Sequence, residues 1–216
     1  MKRIGHNVLA VAQLMDGNFL LNGEIVLRPD TSDPRHDWFK QSYYALGMQY
    51  PKFHKMDSLS KLAVLNAEIL LKDFGTEDFD KSKTGLLLFN RNSSIDADVM
   101  HQTSIEDIEN PMPGPAVFVY TLPNIMLGEI SIRHGITGEN MCLIVPDFEA
   151  STAMDQCEMM FRAGMEHVLL GWVDSAAGMS KSWMALIAKD GNAPNYSQLS
   201  ARFLNETDNI PEWKHS

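Results

Sequence analysis

Few side chains in this sequence have the type and spacing that reaction chemistry needs. Two cysteines are present, Cys142 and Cys157, and a cysteine attacks as its thiolate. Cys142 falls inside the apolar run Met141-Cys142-Leu143-Ile144-Val145, and Cys157 lies in a segment with helical periodicity. Both therefore read as small, buried apolar side chains. The seven histidines, His6, His36, His54, His101, His134, His167 and His215, include no i, i+4 pair, so no metal site is expected. Gly135 and Gly138 lack the glycine-rich fingerprint and following Lys-Ser of a phosphate loop. Asp147 stands where a strand gives way to a helix. As helix N-cap its carboxylate would accept backbone N–H bonds at the positive helix end, with Glu149 in the first turn. In a retained pocket the same carboxylate would serve acid–base chemistry. No cofactor is expected.

The composition narrows the partners. Eighteen Lys and Arg stand against 28 Asp and Glu, a formal net charge of -10. Such a chain has no basic footprint for nucleic acid. No apolar run approaches the roughly 18–20 residues that span a bilayer, so no membrane insertion is expected. Lys2 and Arg3 are followed by a segment that Gln13, Asp16 and Asn18 interrupt, unlike a secretory leader. Two cysteines make no disulfide framework, which points to a reducing cytoplasm.

The elements that would position these groups alternate. Val8–Ala12 and Gly23–Leu27 are strand-like, and 28–37 reads as loop. Residues 1–56 are expected to be irregular N-terminal strands and loop. Asp57 or Ser58 caps a helix with apolar Leu59, Leu62, Ala63, Ala67, Leu70 and Leu71, ended by Gly75. Thr84–Asn90 is a continuous apolar strand of the kind buried on both faces. Residues 93–115 read as loop. A second helix is expected over 121–135, with Pro123 in its first turn and Gly128 allowing a close neighbour. Met141–Val145 is a strand. Phe148–Ala163 is a helix behind Asp147, closed by Gly164. His167–Val173 and Trp183–Ala188 are strands joined by a small-residue loop, and Asp190-Gly191 turns the chain. The tail, 192–216, is polar. Met159, Met160, Phe161 and Met165 read as a core-type cluster, or alternatively as a partner surface. The pattern predicts a single α/β domain over 1–216. It has three layers, α/β/α, and a five-stranded mixed sheet whose last strand is antiparallel.

One stretch is more specific: Leu122-Pro123-Asn124, then Gly128, Ser131-Ile132-Arg133, Gly135, Gly138 and Asn140. In this order and spacing it resembles the N-terminal half of β-ketoacyl synthases of the thiolase fold. The helix from Asp57, the Gly85–Phe89 strand and Gly164 with the Val168–Gly171 strand fit the same register. The resemblance covers about residues 57 to 188. It implies a nucleophilic cysteine at the turn between the third strand and third helix, and here that position is Asp147. The family's glycine pair after the fourth strand reads Gly171-Trp172. The resemblance also implies that the family's C-terminal half, with its two catalytic histidines, is not represented.

What the resemblance implies is a non-catalytic, chain-length-factor-type relative without a catalytic residue of its own. It would partner a full-length ketosynthase in bacterial aryl-polyene, polyketide or fatty-acid biosynthesis. Val117, Phe118, Thr121 and Asn124 would face the acyl pocket or the partner. The strand Met141, Cys142, Leu143, Ile144 and Val145 would be an edge that pairs across a dimer axis, because an apolar edge without charge or proline needs covering. Acyl carrier protein is a further expected partner. Two other readings stay open. One is a stand-alone acyl-thioester enzyme using Asp147 with Glu149 or His134. The other is a homodimeric acyl-binding scaffold.

Overall fold

The computed structural model describes residues 6–30, 37–72, 74, 79–106, 109, 112 and 114–189. Two-residue turns organise the N-terminal part. Asp16-Gly17 and Asn22-Gly23 each hold successive residues at positive φ, 51° and 74°, then 53° and 85°. This is the backbone of tight hairpin turns, whose twist matches that of the flanking strands. The turns fold β1 (His6–Met15), β2 (Asn18–Leu21) and β3 (Glu24–Leu27) into an antiparallel meander. β1 pairs antiparallel with β7 (Met179–Lys189), and β7 antiparallel with β6 (His167–Ala176). β6 runs parallel to β4 (Thr84–Asn90), which runs parallel to β5 (Asn140–Ile144).

The sheet therefore has seven strands in the order β3-β2-β1-β7-β6-β4-β5, not the five expected. The meander adds strands because Asp16 and Asn18 sit at the β1–β2 turn instead of breaking a strand, while Gln13 is accommodated within β1 opposite Leu20. The last strand is antiparallel, as the short β6–β7 connection requires. That connection is no extended loop: Ala177-Gly178 is another two-residue turn, at φ 51° and 77°.

Helices cover both faces, giving the three-layer α/β/α arrangement. On one face lie α1 (Trp38–Ala45), α2 (Ser58–Leu71) and α5 (Ile125–His134). On the other lies α6 (Ala150–Arg162). α2 starts at Asp57, whose carboxylate accepts the Ser60 N–H at 3.0 Å. It sits between the sheet and α5, so apolar side chains are buried nearly all round it, from Leu59 to Leu70. Every residue of β4 is buried, which is why its sequence is a continuous apolar run.

Residues 93–115 are not simply loop. α3 (Ile95–Ile105) and α4 (Pro115–Val119) form there. α3 escapes sequence reading because it buries only Ala97 and shows no apolar stripe. α5 begins at Ile125, so Pro123 lies in the turn before it. A Cβ on Gly128 would meet nothing within 4 Å, so no neighbour approaches closely there. Gly138 is the close approach: its Cβ would lie 2.2 Å from the Thr84 carbonyl oxygen. Gly135, at φ 70°, ends α5 as expected. The expectations for Gly75, the Asp190-Gly191 turn and 192–216 lie outside the described residues.

Candidate functional site

The parallel strands β4, β5 and β6 bring their C-terminal ends to one side of the sheet, where open α/β sheets carry their sites. The Val145 N–H donates to the Asn90 carbonyl at 2.9 Å and extends the ladder one step beyond β5. The chain then turns through Pro146, Asp147 and Phe148 before α6. The helix starts at Ala150, and Glu149, not Asp147, is its N-cap. This corrects the capping expectation. The Phe148 ring packs inward, edge-on to Phe89 (5.3 Å), Trp172 (6.4 Å) and Trp183 (4.8 Å).

Asp147 is thus lifted to the surface, its side chain 79% exposed. It pairs with Arg91, whose Nη2 lies 3.4 Å from Oδ1. Such solvated pairs contribute about 0–1 kcal/mol. Beneath it, Asp174 is buried and accepts the N–H groups of Arg91 (3.3 Å) and Asn92 (3.0 Å) and the Asn92 amide (2.6 Å). Asn90 completes the frame by donating to the Val173 carbonyl at 3.0 Å. The Arg91 and Asn92 N–H groups are committed to Asp174, so they are not presented to a developing oxyanion.

Neither cysteine stands at this bend. Cys142 is half-buried inside β5, opposite Leu88, and burial pushes its thiol up to about 11. Cys157 is fully buried in α6 and pushed up to about 12 by the same cause. Both stay protonated near neutral pH and are poor nucleophiles. Cys142 is less enclosed than the sequence reading held, because β5 is an edge strand.

The acid–base group expected around Asp147 does not assemble. His134 ends α5, before β5, and Asp147 follows β5, so a strand of about 16 Å separates them. His134 faces Glu68 at 3.7 Å, and burial pushes it down to about 4. Glu149 accepts the Thr152 hydroxyl at 3.0 Å. Among the described residues no cluster of three His, Cys, Asp or Glu could hold a metal ion. Among them also, no helix is long and apolar enough to cross a membrane.

The residues expected to face a partner fall in two places. Val117 and Phe118 lie on α4, and Thr121 and Asn124 in the turn between α4 and α5. Phe118 is 56% exposed. Thr121 is tied to the start of α3, where the Ser94 hydroxyl donates to its carbonyl at 2.6 Å. Met141, Cys142, Leu143 and Ile144 lie in β5, and Val145 directly follows. β5 is the last strand of the sheet and pairs with β4 alone. Because Val145 N–H points at β4, the two-residue period turns the N–H groups of Cys142 and Ile144 outward. Ile144 is 47% exposed, and α5, packed against β5, exposes Ile132 at 63%.

Sequence reading missed the two buried carboxylates, Asp174 and Glu129. Glu129 on α5 accepts the hydroxyls of Tyr50 (3.2 Å) and Tyr120 (3.1 Å) and pairs with Lys52 at 2.9 Å. One turn on, Arg133 forks onto Glu68 at 2.9 and 2.7 Å. The available signal was Glu129's place among Met126, Leu127 and Ile130 on the buried side of α5.

No protein-family model and no curated protein matches the sequence. Solved structures do match in fold. One is a ketosynthase (ApeO) in complex with its chain length factor (ApeC) from Xenorhabdus doucetiae. It aligns at TM-score 0.57 and 10% identity, over 87% of this chain and 79% of that one. The ishigamide ketosynthase/chain length factor aligns at TM-score 0.62 and 14% identity, over 87% and 63%. A β-ketoacyl synthase from Burkholderia phymatum aligns at TM-score 0.57 and 12% identity, over 94% and 61%. This chain spans less than two thirds of the latter two. The fold is thiolase-like, shared with ketosynthases and chain length factors.

Proposed function

We propose that this chain is a non-catalytic relative of β-ketoacyl synthases, acting as a chain-length-factor-type partner of a full-length ketosynthase. The observation that carries the reading is the bend between β5 and α6. Where the resemblance implies a nucleophilic cysteine, the chain presents an exposed Asp147, and both thiols lie elsewhere with raised pKa. An aromatic cluster fills the space below it. Claisen condensation through a thioester needs a nucleophile that can carry an acyl group, and a solvated carboxylate does not serve.

The partner reading draws on the outer edge of β5. The outward N–H groups of Cys142 and Ile144 run along this edge, and the Ile144 side chain on it is exposed. An uncovered apolar edge of this kind invites strand addition. In the proposed complex a ketosynthase strand pairs antiparallel with β5, while Val117, Phe118, Thr121 and Asn124 face its acyl tunnel. Acyl carrier protein would dock on the assembled pair, in the cytoplasm, in an aryl-polyene, polyketide or fatty-acid pathway.

The test is co-expression with a full-length ketosynthase encoded nearby, followed by light scattering. A 1:1 heterodimer supports the proposal. A homodimer that ignores the ketosynthase favours an acyl-binding scaffold, and acyl-thioester turnover by the chain alone favours an enzyme. Either result overturns the proposal.

A further inference from the structure

α4 packs on α3 but buries little against it. None of its residues, Pro115–Val119, is buried. Fixing each residue's backbone costs about 1–2 kcal/mol, which side-chain burial here does little to offset. Phe118 leans on the His101 ring at 5.4 Å and otherwise faces solvent. The residue that caps the helix is different. Tyr120 is buried, and its hydroxyl donates to Glu129 Oε1 at 3.1 Å.

Glu129 is only 2% exposed. Its Oε1 takes Tyr120 and Lys52, and its Oε2 takes Tyr50. The carboxylate and its partners join three separate parts of the chain. Tyr50 and Lys52 flank the start of a 3-10 turn at Pro51–Lys55, Tyr120 ends α4, and Glu129 sits mid-α5. A buried carboxylate strongly disfavours losing a donor, so it holds each of them.

We infer that Glu129 is a positioning residue: through Tyr120 it fixes α4 in the orientation that presents Phe118 and Val119 to the partner. The presentation half of this inference rests on the proposed ketosynthase pairing, while the anchoring half concerns this chain alone.

Two phenols on one carboxylate supply the test. Tyr120→Phe and Tyr50→Phe each remove one hydroxyl from Glu129 and keep the ring. A merely structural role predicts equal effects from both. The inference predicts that amide exchange over residues 116–121 of the full chain accelerates about tenfold in Tyr120→Phe, the equivalent of one hydrogen bond to a charged group. Tyr50→Phe leaves that segment as in the parent. Affinity for the ketosynthase falls in Tyr120→Phe by a similar factor, again not in Tyr50→Phe. Glu129→Gln, which keeps an acceptor for Tyr120, retains slow exchange, and Glu129→Ala does not. Equal exchange in the two tyrosine variants overturns the inference. Faster exchange with unchanged ketosynthase affinity also overturns it, and places the failure in the role given to α4 rather than in the anchor.

Discussion

The guanidinium of Arg91, just past the end of β4, reaches the carboxylate of Asp147 at 3.4 Å across the end of the parallel pair β4–β5. The contact is open to water on the Asp147 side. It ties down a surface loop rather than enclosing a reactive group, and the consequences for substitution follow directly.

Asp147→Asn removes the charge of an exposed pair. The expected change in stability is under about 1 kcal/mol. Thermal melting should barely move, and partner binding should persist. A large loss of stability would mean that the carboxylate holds more than Arg91. Asp147→Cys should accept an alkylating probe, because a thiol there is exposed beside a cation. It should still not condense acyl-thioesters, which product analysis would check.

The outward N–H of Ile144 is the second target. Ile144→Pro removes a donor that β4 does not use, so the isolated chain should keep its circular dichroism spectrum. Association with the ketosynthase should weaken by at least about tenfold, since strand addition depends on main-chain bonds. Light scattering of the mixture reads this. An unaffected heterodimer would show that β5 is not the joint.

Two glycines should respond in opposite directions. Gly138→Ala forces a Cβ to 2.2 Å from the Thr84 carbonyl oxygen, and should cost about 2–3 kcal/mol as the β4–β5 start moves apart. Gly128→Ala meets open space inside a helix, and should stabilise the chain by roughly 0.5–1 kcal/mol. Urea unfolding of both variants is the check.

His134 makes stability depend on pH. Burial pushes its folded-state value down to about 4 from 6.5, outweighing the opposing pull of Glu68, with Arg133 and Lys81 adding to the depression. The unfolded chain therefore binds the proton more readily, and this contribution is lost as pH falls from 6.5 towards 4. Between pH 7 and 5 the loss is about 2 kcal/mol. Asp57, raised by burial, works the opposite way over the carboxylate range. The slope should therefore be read as the difference between the parent and His134→Gln, which should show the shallower decline.

The parts of the fold legible in the sequence are those that burial dictates. β4 and β6 are buried along their whole length, which their apolar runs signal, and Gly135 and Gly164 mark helix ends through positive φ. The meander was signalled too, since Asp16-Gly17 and Asn22-Gly23 are hairpin pairs set between apolar pieces. α3 gave no signal because it buries one residue. Asp147 looked like a cap, since acid–apolar order favours one. Phe148's attraction to Trp172 and Trp183 delays the helix by two residues, and those tryptophans are distant in sequence. Glu129 stayed hidden for a similar reason: Tyr50, one of its donors, lies 79 residues away.

A ketosynthase strand that adds to the free edge of β5 would take up the outward main-chain donors there. Residue-resolved hydrogen exchange at the Cys142 and Ile144 amides tests this pairing most directly. Both should exchange quickly in the chain alone and become protected when ketosynthase is added to saturation. Rapid exchange that persists at saturation would show that no strand pairs with β5.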